Sequence, residues 1–217
     1  MNDVSNGVGH GVAEAPQDGA ALLGEQGVLD EGRQRLVEAL QRLSKRQPER
    51  APIVAEMLDF VRRRPDCFCR SCLEGHLTGS AWLLAPGGRE ALLLRHRKLQ
   101  RWLQPGGHAD GDEDLLRVAL REAEEESGIR GISALSTEIF DVDIHEIPAR
   151  PGEPRHRHFD VRFLLQAPCR EAMVSDESEG AAWVRLEELA AGEGPDCDES
   201  VRRMARLSLQ RPEPRLS

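Results

Sequence analysis

Between Asp112 and Gly128 the run DEDLLRVALREAEEESG commits itself to one long helix, and that helix constrains the fold more than any other stretch. Asp112 or Asp114 supplies an N-cap, and Gly128 stands where a left-handed stop residue belongs. At roughly 100° per residue, Glu122, Glu125 and Glu126 share an arc of about 100°, with Ala119 and Ala123 on the adjoining arc. These acids therefore lie at the edge of the buried face, whereas Glu124 points away and is expected to be solvated. Carboxylates three and four residues apart repel by a few tenths of a kcal/mol each, and by more when half buried. The arrangement asks for a counter-charge. A hard divalent cation meets that need, because Mg²⁺ prefers carboxylate oxygens and leaves positions for water and phosphate.

An acidic helix on its own is most often a solvated face. Its surroundings decide the matter. In GHADGDEDLLRVALREAEEESGI the residues Gly107, Glu113, Arg121, Glu122, Ala123, Glu125, Glu126, Gly128 and Ile129 follow the spacing G-x5-E-x7-R-E-U-x-E-E-x-G-U, with U aliphatic. This resembles the Nudix box, with every defined position filled. The resemblance implies that Glu122, Glu125 and Glu126 bind Mg²⁺ or Mn²⁺, joined by a backbone carbonyl at Gly106 or Gly107. It also implies that Arg121 pairs with a carboxylate of the cluster, or with Glu113, and holds the geometry. Water would attack one phosphorus of a diphosphate in line, with Glu122, Glu126 or Glu177 as the base. Glu177 lies six residues before Trp183, where many members of the family carry a remote acid; Asp176 and Glu179 are the alternatives there.

The flanking sequence fits such a fold. Strand patterns are expected at 80–84, 91–94, 139–144, 159–165 and 181–184, with the hairpin turn Ala85-Pro86-Gly87-Gly88 between the first two. Residues 104–111 and the proline-bearing segment 148–156 read as loops. Helices are expected at 33–46 and 51–64, broken at Gln47-Pro48, and again at 200–209. The expected fold is an α/β/α sandwich of the Nudix type with a mixed sheet, plus an N-terminal helical extension. The expected division is a disordered tail over 1–31, the helical extension over 32–74 and a Nudix hydrolase domain over 75–210.

Two groups beside the box are candidates for substrate binding. Arg95, Arg97, Lys98 and His108 offer cationic or hydrogen-bonding partners for phosphate, and Trp102 offers a ring to stack on a base or sugar. The run RHRHFD places His156 and His158 on one face of a strand. His158 is expected to reach the substrate, a third metal site being the less favoured use of these histidines. HRKL, WLQPGGHADG, DIH and HRHFD together resemble a bacterial Nudix subgroup of unassigned substrate. The signatures of NADH, diadenosine-polyphosphate, ADP-ribose and coenzyme A hydrolases are absent, so a nucleoside diphosphate linked to a sugar or other group is the expected substrate.

The formal net charge of −9 argues against binding duplex nucleic acid. The first 30 residues resemble neither a secretory signal nor a membrane span, which points to the cytoplasm. Five cysteines with no export signal read as reduced thiols, and Cys67, Cys69 and Cys72 with His76 lack the spacing of a zinc site. The resemblance is compatible with a homodimer through the N-terminal helices. Two rival readings are an isomerase of the isopentenyl-diphosphate type, which shares the fold and uses a cysteine, and a nucleotide-binding module without catalysis. The intact box weighs against both.

Overall fold

The computed structural model describes residues 29–97, 99–150, 152, 154–173 and 178–211. Lys98, Asp176, Glu177 and residues 1–28 of the expected tail lie outside the described residues. The first helix, α1 (Glu31–Arg46), begins where Asp30 accepts the backbone N–H of Arg33, and Leu36, Leu40 and Leu43 line its buried face. A short 3-10 turn, Pro48–Arg50, separates it from α2 (Ala51–Arg63) at the expected break.

Eight strands follow in one mixed sheet: β1 (Gly75–Leu84), β2 (Glu90–His96), β3 (Arg101–Leu103), β4 (Gly106–His108), β5 (Ser133–Ala134), β6 (Asp141–Ile147), β7 (His156–Gln166) and β8 (Ser178–Arg185). The box helix, α3 (Leu115–Ser127), lies between β4 and β5; α4 (Leu186–Ala191) and α5 (Glu199–Leu209) close the described chain. Strand β1 runs through the centre. It pairs in parallel with β7 over its whole length, and its other edge is shared by β4 and, at Leu84, by β2. The stretch expected to be one loop, 104–111, thus contains β4, whose three residues are held by β1 rather than by any apolar pattern of their own.

Alternation along β1 and β7 divides the core in two. Leu77, Ala81, Leu83, Phe159, Val161 and Leu165 are buried together with α1, α2 and α3. Phe60 of α2 stacks on Phe159 with ring centroids 3.7 Å apart. The opposite face buries Trp82, Leu84 and Leu164 beneath α4 and α5, and Trp82 Nε1 donates to Ser208 Oγ at 2.8 Å. Helices on both faces make the α/β/α sandwich. Each fully buried side chain of this size contributes roughly 1.5–3 kcal/mol.

This second face changes character towards the start of β1. Below Trp82 it carries Ser80, Thr78 and His76, registered against Arg162, Asp160 and His158 of β7, which face Asp141, Asp143 and His145 of β6. A layer of polar groups therefore runs through a sheet whose other face is apolar.

Candidate active site

Helix α3 starts at Asp114, which accepts from Arg117 N, and stops at Gly128 with φ 69°. It packs on β1 where Gly79 has no side chain: a Cβ there would lie 2.7 Å from the Leu115 carbonyl oxygen. That close approach carries the glutamates to β4. The Gly106 N–H donates to Glu126 Oε2 at 2.9 Å, and a Cβ on Gly107 would fall 2.3 Å from the carboxyl carbon of Glu122. Arg121 Nη2 donates both to Glu122 Oε1, at 2.8 Å, and to the His108 carbonyl, at 3.1 Å. The pairing of Arg121 is with Glu122; Glu113 instead lies under α1, 3.8 Å from Arg35 and against Gly32. Glu125 is exposed on the next turn.

These donors fit a hard divalent ion. Glu122 and Glu126 are half buried beside a glycine strand that leaves room for carboxylate oxygens, and Glu125 adds a third acid on the open side. Glu124, expected to be solvated, is instead engaged: its oxygens accept from Gly131 N at 2.8 Å and from Arg130 Nη1 at 3.0 Å, securing the chain as it leaves α3. The reason is the left-handed turn at Gly128, which brings residues 130 and 131 back to that side.

The expected substrate groups separate into two places. Arg95 donates to Gln100 Oε1 at 2.9 Å and lies 4.0 Å from Glu179, on the β2–β3 hairpin beside β8. Arg97 is exposed there, and Trp102 is half buried against the α4–α5 core. His108 and His158 meet on the polar face, with Nε2 atoms 3.3 Å apart. A cavity of about 590 Å³ opens elsewhere, between α1 and the start of α3, and includes none of Glu122, Glu125 and Glu126.

Sequence reasoning overlooked the buried ionic layer behind the box. Asp160 accepts from Thr78 Oγ1 and Ser80 Oγ, both at 2.7 Å, and from Arg162 Nε at 2.7 Å. Burial opposes its charge, yet Arg162 holds its carboxyl below the usual carboxylate range. Arg162 also reaches Asp141 and Asp143, and Arg203 Nη2 donates to Asp141 at 2.8 Å. Arg50, at the start of α2, lies 3.3 Å from the same carboxylate. Asp160 and Arg162 continue the period-two alternation that begins at His156, so the signal was present in the strand.

Cys67 and Cys72 are buried and Cys69 half buried, all as free thiols. Burial pushes Cys67 up to about 12 and raises Cys72 as well. Neither is an activated thiolate. No helix among the described residues is long and apolar enough to cross a membrane.

The chain is similar in sequence and in fold to known proteins. A protein of Lactococcus lactis described as a probable DHNTP pyrophosphohydrolase is 31% identical over 85 residues, covering 38% of this chain and 50% of the relative. The m7GpppN-mRNA hydrolase of Xenopus laevis is 30% identical over 121 residues, covering 50% of this chain and 40% of that protein. The chain thus spans half or less of the length of these curated relatives. The solved structure of a NUDIX-family hydrolase from Clostridium perfringens is 26% identical, covers 62% of this chain and 95% of that one, and has a TM-score of 0.47. The family model for the NUDIX domain matches residues 76–204, well over half of the sequence. With the box complete, with Glu122 and Glu126 against the glycine strand β4, and with the family model matching most of the sequence, this chain belongs to the Nudix domain family.

Proposed function

We propose that the chain is a divalent-metal-dependent pyrophosphohydrolase that cleaves the diphosphate of a nucleoside diphosphate joined to a sugar or similar group. The observation that supports this reading is the approach of Glu122 and Glu126 to the Gly106–Gly107 backbone, with Arg121 bridging Glu122 and the His108 carbonyl. Glu122, Glu125 and Glu126 would hold Mg²⁺ or Mn²⁺, with the backbone at Gly107 alongside. When bound, such an ion supplies charge neutralisation of the diphosphate and activation of water. Arg121 fixes the direction of the Glu122 carboxylate, and the fold leaves no side chain at residue 107 to crowd it. A carboxylate, from Glu122, Glu126 or Glu177, takes the proton of the attacking water.

The relatives' names supply two other substrates, DHNTP and capped mRNA. The test is product release from a panel containing nucleoside diphosphate sugars, dihydroneopterin triphosphate and capped RNA, with Mg²⁺ or Mn²⁺. Wild type is expected to cleave a nucleoside diphosphate sugar, and Glu125→Gln to lose about 10²-fold or more, as when an electrostatic stabiliser is removed. Cleavage confined to either other substrate would overturn the substrate assignment; no cleavage of any would overturn hydrolysis.

A further inference from the structure

Five of the seven histidines in the sequence gather where the polar face of the sheet meets β4, and they are not explained by the carboxylate site. His76 of β1 lies across from His158 of β7, and His158 from His145 of β6. His108 of β4 reaches the same spot from the other edge of β1. One ligand nitrogen from each of His76, His108 and His158 lies within 4.8 Å of the others. His156 extends the group, its Nε2 lying 3.2 Å from that of His158.

Three observations point to a ligand at the centre. First, His76 is 3% exposed, and neither of its ring nitrogens has a hydrogen-bond partner. A buried imidazole without partners is costly unless something else satisfies it. Second, His158 Nε2 faces two other Nε2 atoms, at 3.2 and 3.3 Å. A ring nitrogen carries one proton or one lone pair, so it cannot make a full hydrogen bond to each of two neighbours. Third, His156 Nδ1 lies 2.9 Å from the Pro154 carbonyl, which only accepts. Nδ1 therefore donates to that carbonyl, and Nε2 is turned inward towards His158.

We propose that His76, His108 and His158 bind a divalent first-row transition ion of the zinc type, at a site distinct from the glutamate cluster of α3. Imidazole nitrogens select zinc, copper, iron or nickel, whereas Mg²⁺ seeks oxygen. Two nitrogens on a tetrahedral zinc stand about 3.3 Å apart, given bonds of about 2.0–2.1 Å, and His108 and His158 already do so. The His76 nitrogen lies within 4.8 Å of the other two and would have to move inward to complete the set. Burial and the neighbouring imidazoles keep His76 and His158 neutral, the form that ligates. A cavity of about 50 Å³ bounded by His76, His156, Cys72 and Arg70 provides an entry, and Arg70 there is paired with Asp110. The ion would pin the three-residue β4 to β1 and β7, and with it the glycine strand against which Glu122 and Glu126 rest.

The inference stands apart from the substrate and from hydrolysis, so its test reads metal directly. The full chain, stripped with EDTA, is titrated with Zn²⁺ and separately with Co²⁺ in a large excess of Mg²⁺. Wild type and Glu125→Gln are expected to bind a single equivalent of Zn²⁺ and to give the visible absorption of nitrogen-ligated cobalt. His108→Ala and His158→Ala are expected to lower zinc affinity by about 100-fold or more, at least what the loss of an outer-shell partner costs. Thermal unfolding of both variants reports whether they fold; if one fails, the other, together with His158→Asn, carries the test. Absence of binding in wild type, displacement by Mg²⁺, loss in Glu125→Gln, or retention in the histidine variants would each overturn the site.

Discussion

Gly107 and Glu122 occupy adjoining space so closely that a single methyl group on the glycine would lie 2.3 Å from the glutamate's carboxyl carbon. The obstructed atoms are the far end of a flexible side chain, so Glu122 swings aside at little cost to folding. Gly107→Ala is therefore expected to stay within about 1 kcal/mol of wild-type stability, the ordinary scale of such a substitution. Hydrolysis should nevertheless fall by about 10²-fold, because displacing a reacting group by an ångström costs that much. Urea unfolding and steady-state rates on the same preparation check both halves; unchanged activity would remove Glu122 from the site.

Arg121 is a positioning residue, joined to Glu122 and to the His108 carbonyl through one guanidinium nitrogen. Lysine keeps the charge but not the planar fork. Arg121→Lys is expected to lose about 10-fold in rate and to need more Mg²⁺ for half-maximal activity, as outer-shell changes commonly do. A rate loss at unchanged Mg²⁺ dependence would assign Arg121 a role away from the carboxylates.

Asp141 is fully buried and in contact with Arg162, Arg203 and Arg50. Removing its charge leaves three guanidinium groups short of compensation in a low-dielectric layer. Asp141→Asn is expected to destabilise the fold by about 3–5 kcal/mol, read from urea midpoints. A change below about 1 kcal/mol would show that the layer is better solvated than its burial implies.

The stability of the metal-free protein should also depend on pH. Burial lowers His76 to about 4, well below the ordinary value of about 6.5 in the unfolded chain. Between these values the unfolded chain holds more protons than the folded one, so stability is complete above about pH 6.5 and declines as pH falls towards 4. His76 alone accounts for on the order of 3 kcal/mol over that window, and His158, lowered to about 2 by the same burial, acts in the same direction. Urea unfolding in EDTA at several pH values measures the slope, and His76→Gln should flatten it; an unchanged slope in that variant would exclude His76 as its source.

The box glutamates' places on one helix, and the helix itself, were legible because both depend on local rules. A 3.6-residue period, the Asp114 cap and the Gly128 stop act within one segment, so spacing alone places Glu122, Glu125 and Glu126 together and marks where α3 begins and ends. Hairpin turns and apolar alternation are local in the same sense, which is why β1, β2, β6, β7 and β8 fall near their expected positions. Their ends drifted, as with β1 starting at Gly75, because pairing with β7 extends a strand beyond its own apolar run.

Tertiary structure decided what pairs across the sheet. Nothing within Gly106-Gly107-His108 reads as a strand, and only the free edge of β1 makes it one. Glu124 acquired partners because the chain doubles back after Gly128. Above all, His76, His108 and His158 come from three segments spread over 83 residues of sequence, and Asp141, Asp160 and Arg162 meet Arg50 and Arg203 from still farther apart. Strand register, which couples distant residues through backbone hydrogen bonds, is a property of the whole sheet. Local sequence determined which side of each strand a residue occupies; the register determined which residues it meets there.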